Sequence, residues 1–111
     1  DYSPVWVFRR APASAPVEQN ALPPGRFRLV QNYPNPFNAR TVISFELPRS
    51  GWARLEVYDV MGRRVSILMD RSLPAGAHAC IWEPRSVASG VYLYRLTFEG
   101  TVIVRRMLLL K

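Results

Sequence analysis

The sequence predicts an all-β protein, an immunoglobulin-like β-sandwich of about seven antiparallel strands. Apolar runs of five to eight residues recur between positions 27 and 110, and they are rich in β-branched and aromatic side chains. Turn residues separate these runs about every ten positions, which is typical of a sandwich. An apolar period of 3.6 residues, which a helix would require, never persists for three turns.

Turn residues set the limits of the seven predicted strands. The strands are FRLVQ (27–31), TVISFEL (41–47), ARLEVYD (53–59), RRVSILM (63–69), AHACIWE (77–83), VYLYRLTF (91–98) and TVIVRRMLLL (101–110). The second strand alternates apolar and polar residues, which predicts a core face of Ile43, Phe45 and Leu47. In the third strand, Leu55 is predicted on the core face and Glu56 on the outer face.

The last two strands are predicted to form a hairpin through Glu99-Gly100, because glycine tolerates the positive φ of a tight turn. The final strand is apolar on both faces from Met107 to Leu110. It is therefore predicted either to be covered on both faces or to bind a partner.

Residues 1–25 are predicted to lie outside the main domain, which spans residues 26–111. VWVF (5–8) is strand-like and, with the rest of residues 1–10, is either the end of a preceding domain or an extra strand. Residues 11–25 hold four prolines, which lack backbone donors and favour an extended chain, so a linker is predicted. The chain begins without methionine, signal peptide or membrane-spanning run, so we expect it to be part of a longer protein.

The formal net charge is +7, and 14 of the 15 basic residues are arginine, with Lys111 the only lysine. Such a charge favours an anionic partner, but the arginines are dispersed and never form a run longer than two. We therefore interpret most of them as solvated surface residues and predict no nucleic-acid binding.

The residues that could carry chemistry are too few and too scattered to predict an enzyme. Cys80 is the only cysteine and falls in a strand-like run, which predicts a buried apolar role. His78, between two alanines in the same strand, is predicted to be structural and partly exposed. The eight acidic residues stand singly, and metal-ligand spacings, phosphate-binding glycine loops and nucleophile elbows are absent. The prediction is a non-enzymatic protein without metal or cofactor.

Carbohydrate binding is an alternative function, because planar aromatic rings on a β-sandwich can bind sugars. The available rings are Trp52, Tyr58, Tyr92 and Tyr94, and Trp52, beside a turn glycine, is the best candidate for exposure. Trp82 lies in the middle of a strand and is predicted to be in the core.

The segment NYPNPFN (32–38) is predicted to be a rigid, irregular loop. Its residues are Asn32, Tyr33, Pro34, Asn35, Pro36, Phe37 and Asn38. The prolines restrict φ and favour extended residues before them, and asparagine side chains can bond backbone groups that such a loop leaves free. Tyr33 and Phe37 are predicted to anchor the loop in the core. This structural interpretation requires no ligand.

Taken together, the motifs of the chain resemble one known family. NYPNPFN is followed in order by TVISFELP, LEVYDVMGRRV, LPAGAH, ASGVYLYRL and the basic, apolar RRMLLLK. Over residues 29–111 this order resembles the C-terminal sorting domain of type IX secretion substrates, in its type A form (the Por secretion family). Single motifs are less specific, since VYD-x-x-G-R and SGVY also resemble the immunoglobulin-like domain of the flagellar hook-capping protein.

The resemblance implies a non-catalytic secretion signal that carries a covalently linked N-terminal cargo protein through the periplasm and across the outer membrane. The cargo then reaches the cell surface or the medium. The implied partners are the outer-membrane translocon of Bacteroidetes-like bacteria and a sortase-like surface protease, with no membrane insertion of the domain itself. Cleavage is expected within residues 10–28, where a linker would expose the chain to a protease.

Eight residues fall on the family's motifs and are candidate recognition residues by this resemblance. They are Gly76, Ser89, Gly90, Val91, Tyr92, Arg105, Arg106 and Lys111. At Arg105 and Arg106 the family frequently has lysine, so the charge is retained while the donor geometry changes.

The sequence is compatible with two further pairs of alternatives. The strand at 101–110 could pair with the edge of a partner's sheet, or it could be a buried core strand. The chain could also be an accessory module of a secreted enzyme, either carbohydrate-binding or purely structural, instead of a secretion signal.

Overall fold

The computed structural model describes residues 26–111, which form seven β-strands and no helix. The strands are β1 (Arg28–Leu29), β2 (Thr41–Leu47), β3 (Gly51–Asp59), β4 (Arg64–Leu73), β5 (Gly76–Trp82), β6 (Gly90–Phe98) and β7 (Thr101–Leu109). The described residues therefore contain no helix with the length and apolarity needed to cross a membrane. The predictions for the strand-like VWVF and the proline-rich linker lie outside the described residues.

The strands form two sheets. One sheet has three strands in the order β1–β2–β5, and the other has four in the order β4–β3–β6–β7. Every neighbouring pair of strands is antiparallel. The predicted all-β sandwich of seven antiparallel strands is thus confirmed.

Alternation along each strand decides which side chains meet between the sheets. In β2, Ile43 and Phe45 are buried, as their spacing predicts. Trp82, at the end of β5, is also in the core as predicted; its ring centre lies 5.8 Å from that of Phe37 and 5.6 Å from that of Tyr92. Burial of each such side chain contributes roughly 1.5–3 kcal/mol relative to exposure, so these contacts hold the two sheets together.

Two strands differ from the prediction by more than two residues in length. β4 continues to Leu73 because its backbone pairs with β3 as far as Gly51, although the residues that extend it are mainly polar. β1 is shorter than predicted, because only Arg28 and Leu29 pair with β2. In both cases pairing with the backbone of the adjacent strand sets the length of the strand, and the side-chain pattern alone does not predict that length.

The predicted hairpin between β6 and β7 is present. Phe98 pairs with Thr101, and the two residues between them both have positive φ, 49° at Glu99 and 81° at Gly100. Two consecutive residues with positive φ match the right-handed twist of the flanking strands, which explains why a short turn suffices here.

Candidate functional site

The NYPNPFN loop, the residues 89–92 and the residues 106–111 meet at one corner of the sandwich, which we call the β7 corner. The loop contacts β7 through backbone and side-chain hydrogen bonds. Residues 90–92, at the start of β6, pair with the end of β7. Most of the candidate recognition residues lie at this corner.

The loop provides hydrogen-bond partners for the outer edge of β7. The backbone N–H of Phe37 donates to the Leu108 carbonyl at 3.0 Å, and the Phe37 carbonyl accepts from the Leu110 N–H at 2.9 Å. Asn35 Oδ1 accepts from the Leu108 N–H at 3.0 Å, and Asn38 Nδ2 donates to the Leu110 carbonyl at 2.9 Å. An edge strand normally exposes its outward backbone N–H and C=O groups. The loop therefore supplies the hydrogen-bond partners that the end of β7 would otherwise lack.

A buried asparagine holds the loop in shape. Asn32 is 2% exposed, and its Nδ2 donates to Thr41 Oγ1 at 3.0 Å and to the Pro34 carbonyl at 3.2 Å. The Tyr94 hydroxyl accepts from the Asn32 N–H and donates to the Val30 carbonyl, both at 2.8 Å. The predicted bonding of asparagine side chains to loop backbone is therefore present.

The prediction that Tyr33 anchors the loop in the core is wrong, because its side chain is 79% exposed. The backbone of Tyr33 exchanges two hydrogen bonds with Val42, at 2.9 and 3.0 Å. Directly opposed residues of an antiparallel pair project from the same face, and Val42 lies on the outer face of β2. Tyr33 therefore points outward, and of the two aromatic residues only Phe37 anchors the loop in the core, at 2% exposure.

Several candidate recognition residues meet at the β7 corner. The Lys111 N–H donates to Ser89 Oγ at 2.8 Å, which joins the residue before β6 to the residues after β7. Gly90 pairs with Leu109, and Val91 pairs with Leu108. The structure therefore brings Ser89, Gly90 and Lys111 together, although 22 positions separate Ser89 from Lys111.

Two other candidates have mainly structural surroundings. Tyr92 is 7% exposed, and its hydroxyl donates to the Ala88 carbonyl at 2.6 Å. Arg105 Nε donates to the Leu29 carbonyl at 2.5 Å and so ties β1 of one sheet to β7 of the other. The Tyr92 side chain is therefore not presented to a partner, whereas Arg105 is bonded through Nε but remains an exposed residue.

Arg106 and Gly76 occupy opposite ends of the sandwich. Arg106 is exposed and, with four other residues, lines a shallow, open depression of about 250 Å³ at the β7 corner. Gly76 begins β5, whose other end, Trp82, packs near that corner. The seven-residue strand separates Gly76 from the other candidates by about 20 Å.

Edge pairing with a partner's sheet at the tip of β7 is not compatible with this structure. The outward backbone groups of Leu108 and Leu110 already bond to the loop. Met107 and Leu109 are buried at 2% and 0%, so the end of β7 is a core strand. The buried-strand alternative holds only for these two residues, because Val102, Val104 and Leu110 are 49%, 50% and 51% exposed, so the strand is not covered on both faces.

A buried carboxylate on the outer face of the four-stranded sheet was not predicted. Glu56 is 1% exposed, because the arginines of neighbouring strands cover it. Arg95 donates to Glu56 Oε1 at 3.0 Å and Arg64 to Oε2 at 3.2 Å, while Arg54 lies 4.0 Å away. Burial raises the pKa of Glu56, but the bonds from Arg95 and Arg64 prevail and lower it below its ordinary value. The sequence places Glu56 on this face. The strand register that brings the arginines over it cannot be predicted from the sequence of β3 alone.

The remaining candidates for chemistry have structural contacts. His78 is half-buried, stacks on Phe45 at 5.4 Å between ring centres, and its Nε2 lies 2.8 Å from the Pro74 carbonyl oxygen. Cys80 is half-buried and packs against the core, and burial raises the pKa of its thiol, which makes it less reactive. Within residues 26–111, no group of three or more metal-ligating side chains is close enough to hold an ion.

The structure reduces the set of aromatic rings that could bind a sugar. Trp52 is 60% exposed, as predicted, and its Nε1 donates to Asp70 Oδ1 at 2.7 Å. Tyr92 and Tyr94 are buried, so the prediction that they are available is wrong. Their positions alternate with outward residues of β6, which places both rings between the sheets. Tyr58 is half-buried, with the Arg95 guanidinium 4.7 Å from its ring centre.

Comparison with protein families identifies the chain. The family model for the secretion system C-terminal sorting domain matches residues 31–110. Among curated proteins, none matches the chain significantly. The matched range contains the NYPNPFN loop and every strand from β2 to β7, so the resemblance seen in the sequence is confirmed. The chain belongs to the family of type IX secretion system C-terminal sorting domains.

Proposed function

We propose that residues 26–111 are a non-enzymatic signal that carries a covalently linked N-terminal protein from the periplasm across the outer membrane. The cargo is then displayed on the cell surface or released. The match to the sorting-domain family over residues 31–110 is the observation that carries this proposal. The partners would be an outer-membrane translocon and, after transport, a sortase-like surface protease.

The fold supports such a role, because the domain is a separate sandwich that a partner can recognise whatever cargo precedes it. The described core is formed between two sheets whose strands all lie within residues 26–111, which supports recognition of the domain as a unit. Cleavage within residues 10–28 would remove the signal and leave the cargo intact.

The test of the proposed function is fractionation of a reporter in a host that has type IX secretion. One reporter carries an ordinary signal peptide and residues 1–111 at its C-terminus, and a matched fusion ends at Gly25. We expect the reporter at the surface or in the medium only with the complete chain, with cleavage mapped by mass spectrometry. Periplasmic retention of both fusions, with the domain folded, would contradict the proposal.

The contribution of the β7 corner to export is tested with substitutions and not with a truncation. Removing Arg106 to Lys111 would also remove the buried Met107 and Leu109, so lost export could simply report an unfolded domain. Lys111→Ala and Ser89→Ala instead change exposed side chains at the corner. If the corner is recognised, export falls while the thermal midpoint stays within a few degrees of the unsubstituted chain.

A further inference from the structure

Apolar and basic side chains lie side by side on the outer face of the four-stranded sheet. Arg64 of β4 pairs with Tyr58 of β3, Tyr58 with Leu93 of β6, and Leu93 with Arg106 of β7. Directly paired residues project from the same face, so these four side chains form one row across the sheet. The row begins and ends with an arginine, about 14 Å apart at the usual spacing of strands.

The next row places apolar residues at its two ends and the buried ion pair in its middle. It runs from Ile67 through Glu56 and Arg95 to Val104. Ile67 and Val104 are 44% and 50% exposed. Because Glu56 is covered by arginines, its charge is balanced within the sheet, and positive charge prevails at the surface of this face.

The depression at the β7 corner adjoins these rows. Its lining includes the apolar Val91 and Leu108, while Arg106 and Asn35 bring polar groups to its rim. Asn35 Oδ1 is bonded to the Leu108 N–H, which leaves its amide donors on the rim. A volume of about 250 Å³ has room for one large apolar side chain of a partner, with Arg106 beside it.

We propose that this surface is a docking face for an acidic segment of a partner protein, which inserts one large apolar side chain into the depression. The docking face comprises Tyr58, Arg64, Leu93, Val104, Arg106 and the depression. Arginine and tyrosine are enriched at protein interfaces. Carboxylates on the partner would pair with Arg106, which has no ion pair among the described residues, and with the exposed part of Arg64, whose Nη1 bonds to Glu56.

An acidic protein fits this face better than a membrane or a nucleic acid does. The arginine side chains reach further from the sheet than Val104 and Ile67, so an acyl layer would meet charge before apolar groups. A phosphate backbone would pair with the arginines and leave the apolar residues in water. The inference rests on the proposed function for the partner's identity, which would be a protein of the secretion machinery.

The test uses the reporter fusion with residues 1–111 in exporting cells. Arg106→Glu and Val104→Glu place negative charge on the docking face, at side chains without any ion pair among the described residues. Arg40→Glu and Ile81→Glu make the same chemical changes away from the face. We expect about a tenfold loss of exported reporter with the first two and less than about twofold with the controls.

A crosslinking arm identifies what touches the face. A photoreactive p-benzoylphenylalanine at position 104, and in a parallel fusion at position 81, is activated in exporting cells. We expect a crosslink to a protein with an acidic surface at 104 only, and we expect Arg64→Ala with Arg106→Glu to abolish it. Thermal melting by circular dichroism is recorded for every variant, so that an unfolded domain is recognised.

The outcomes separate the inference from the proposed function. If the unsubstituted fusion is exported and both face variants match it, the docking face is wrong and the sorting function stands. If the unsubstituted fusion is not exported, the sorting function fails, and the inference fails with it. Two further outcomes, each without a protein crosslink, would overturn the acidic partner. If the purified chain floats with phosphatidylglycerol vesicles and this depends on the arginines, the face binds a lipid surface. If the chain binds RNA and this depends on the arginines, the face binds a nucleic acid.

Discussion

Phe37 and Leu109 form an isolated parallel bridge that joins the NYPNPFN loop to the last strand. The hydrogen bonds of this bridge run from the Phe37 N–H to the Leu108 carbonyl and from the Leu110 N–H to the Phe37 carbonyl. The ring of the same Phe37 lies in the core against Trp82. One residue thus supplies a backbone partner to the edge of β7 and an aromatic ring to the interior.

Phe37→Ala is expected to lower the free energy of unfolding by about 3–5 kcal/mol, because it leaves a cavity beside Trp82. Tyr33→Ala in the same loop is the matched control, and we expect a change within about 0.5 kcal/mol because its ring is exposed. Guanidinium denaturation followed by tryptophan fluorescence measures both. Equal losses in the two variants would contradict the placement of these rings.

Asn32→Ala is expected to lower the free energy of unfolding by about 1–3 kcal/mol, because it removes the three hydrogen bonds of a buried side chain. Asn38→Ala removes one exposed hydrogen bond, to the Leu110 carbonyl, and should cost less than about 1 kcal/mol. The same denaturation experiment measures both changes. If Asn38→Ala lowered the free energy of unfolding as much as Asn32→Ala, or more, the buried amide of Asn32 would not be what holds the loop in shape.

Glu56→Gln is expected to change how stability depends on pH. The folded pKa of Glu56 lies below the unfolded value, so the stabilisation is complete above the unfolded pKa and is lost as pH falls through the folded one. The unsubstituted chain should therefore lose stability below about pH 4.5, near the ordinary pKa of the group.

At pH 7 the glutamine variant should be less stable than the unsubstituted chain by about 1–3 kcal/mol. On acidification it should lose less stability than the unsubstituted chain. Glu83→Gln, at an exposed position, is the control and should leave the pH profile unchanged. Thermal midpoints measured from pH 7 to pH 2.5 give both profiles. Parallel profiles for the Glu56 variant and the unsubstituted chain would mean that Glu56 does not stabilise the sheet through its charge.

Gly100→Ala is expected to destabilise the last hairpin by about 1–2 kcal/mol, because φ at this position is 81° and an L-residue is strained there. No atom outside the adjoining residues lies within 4 Å of an added Cβ, so the cost would come from local backbone strain and not from a clash with the rest of the domain. Gly100→Asn should cost less, since asparagine tolerates this backbone conformation. Chemical denaturation ranks the three chains, and an alanine variant as stable as glycine would contradict the turn geometry.

The sequence predicts features that depend on local pattern. The alternation in β2 places Ile43 and Phe45 in the core, and Glu99-Gly100 marks the hairpin. The sorting-domain motifs, taken in order, indicate the family that the comparison confirms.

Features that depend on distant backbone could not be predicted in this way. Tyr33 is exposed because its backbone pairs with Val42, and no property of the loop itself reveals that pairing. Glu56 is buried because arginines of β4 and β6 fall beside it in register, and a register cannot be derived from one strand alone. The same reason explains why the bonds between the loop and β7 were not foreseen.

The bonds between the loop and β7 also bear on the order in which the protein can be made and folded. They join residues separated by 71 to 73 positions, so the loop, which is synthesised early, finds its partners only after β7 has been synthesised. Such distant contacts form slowly, because a long stretch of chain must close before they stabilise anything. A nascent chain interrupted within β6 or earlier would carry an unfinished sandwich. The bonds between the loop and β7 can therefore form only after every strand of the domain has been translated.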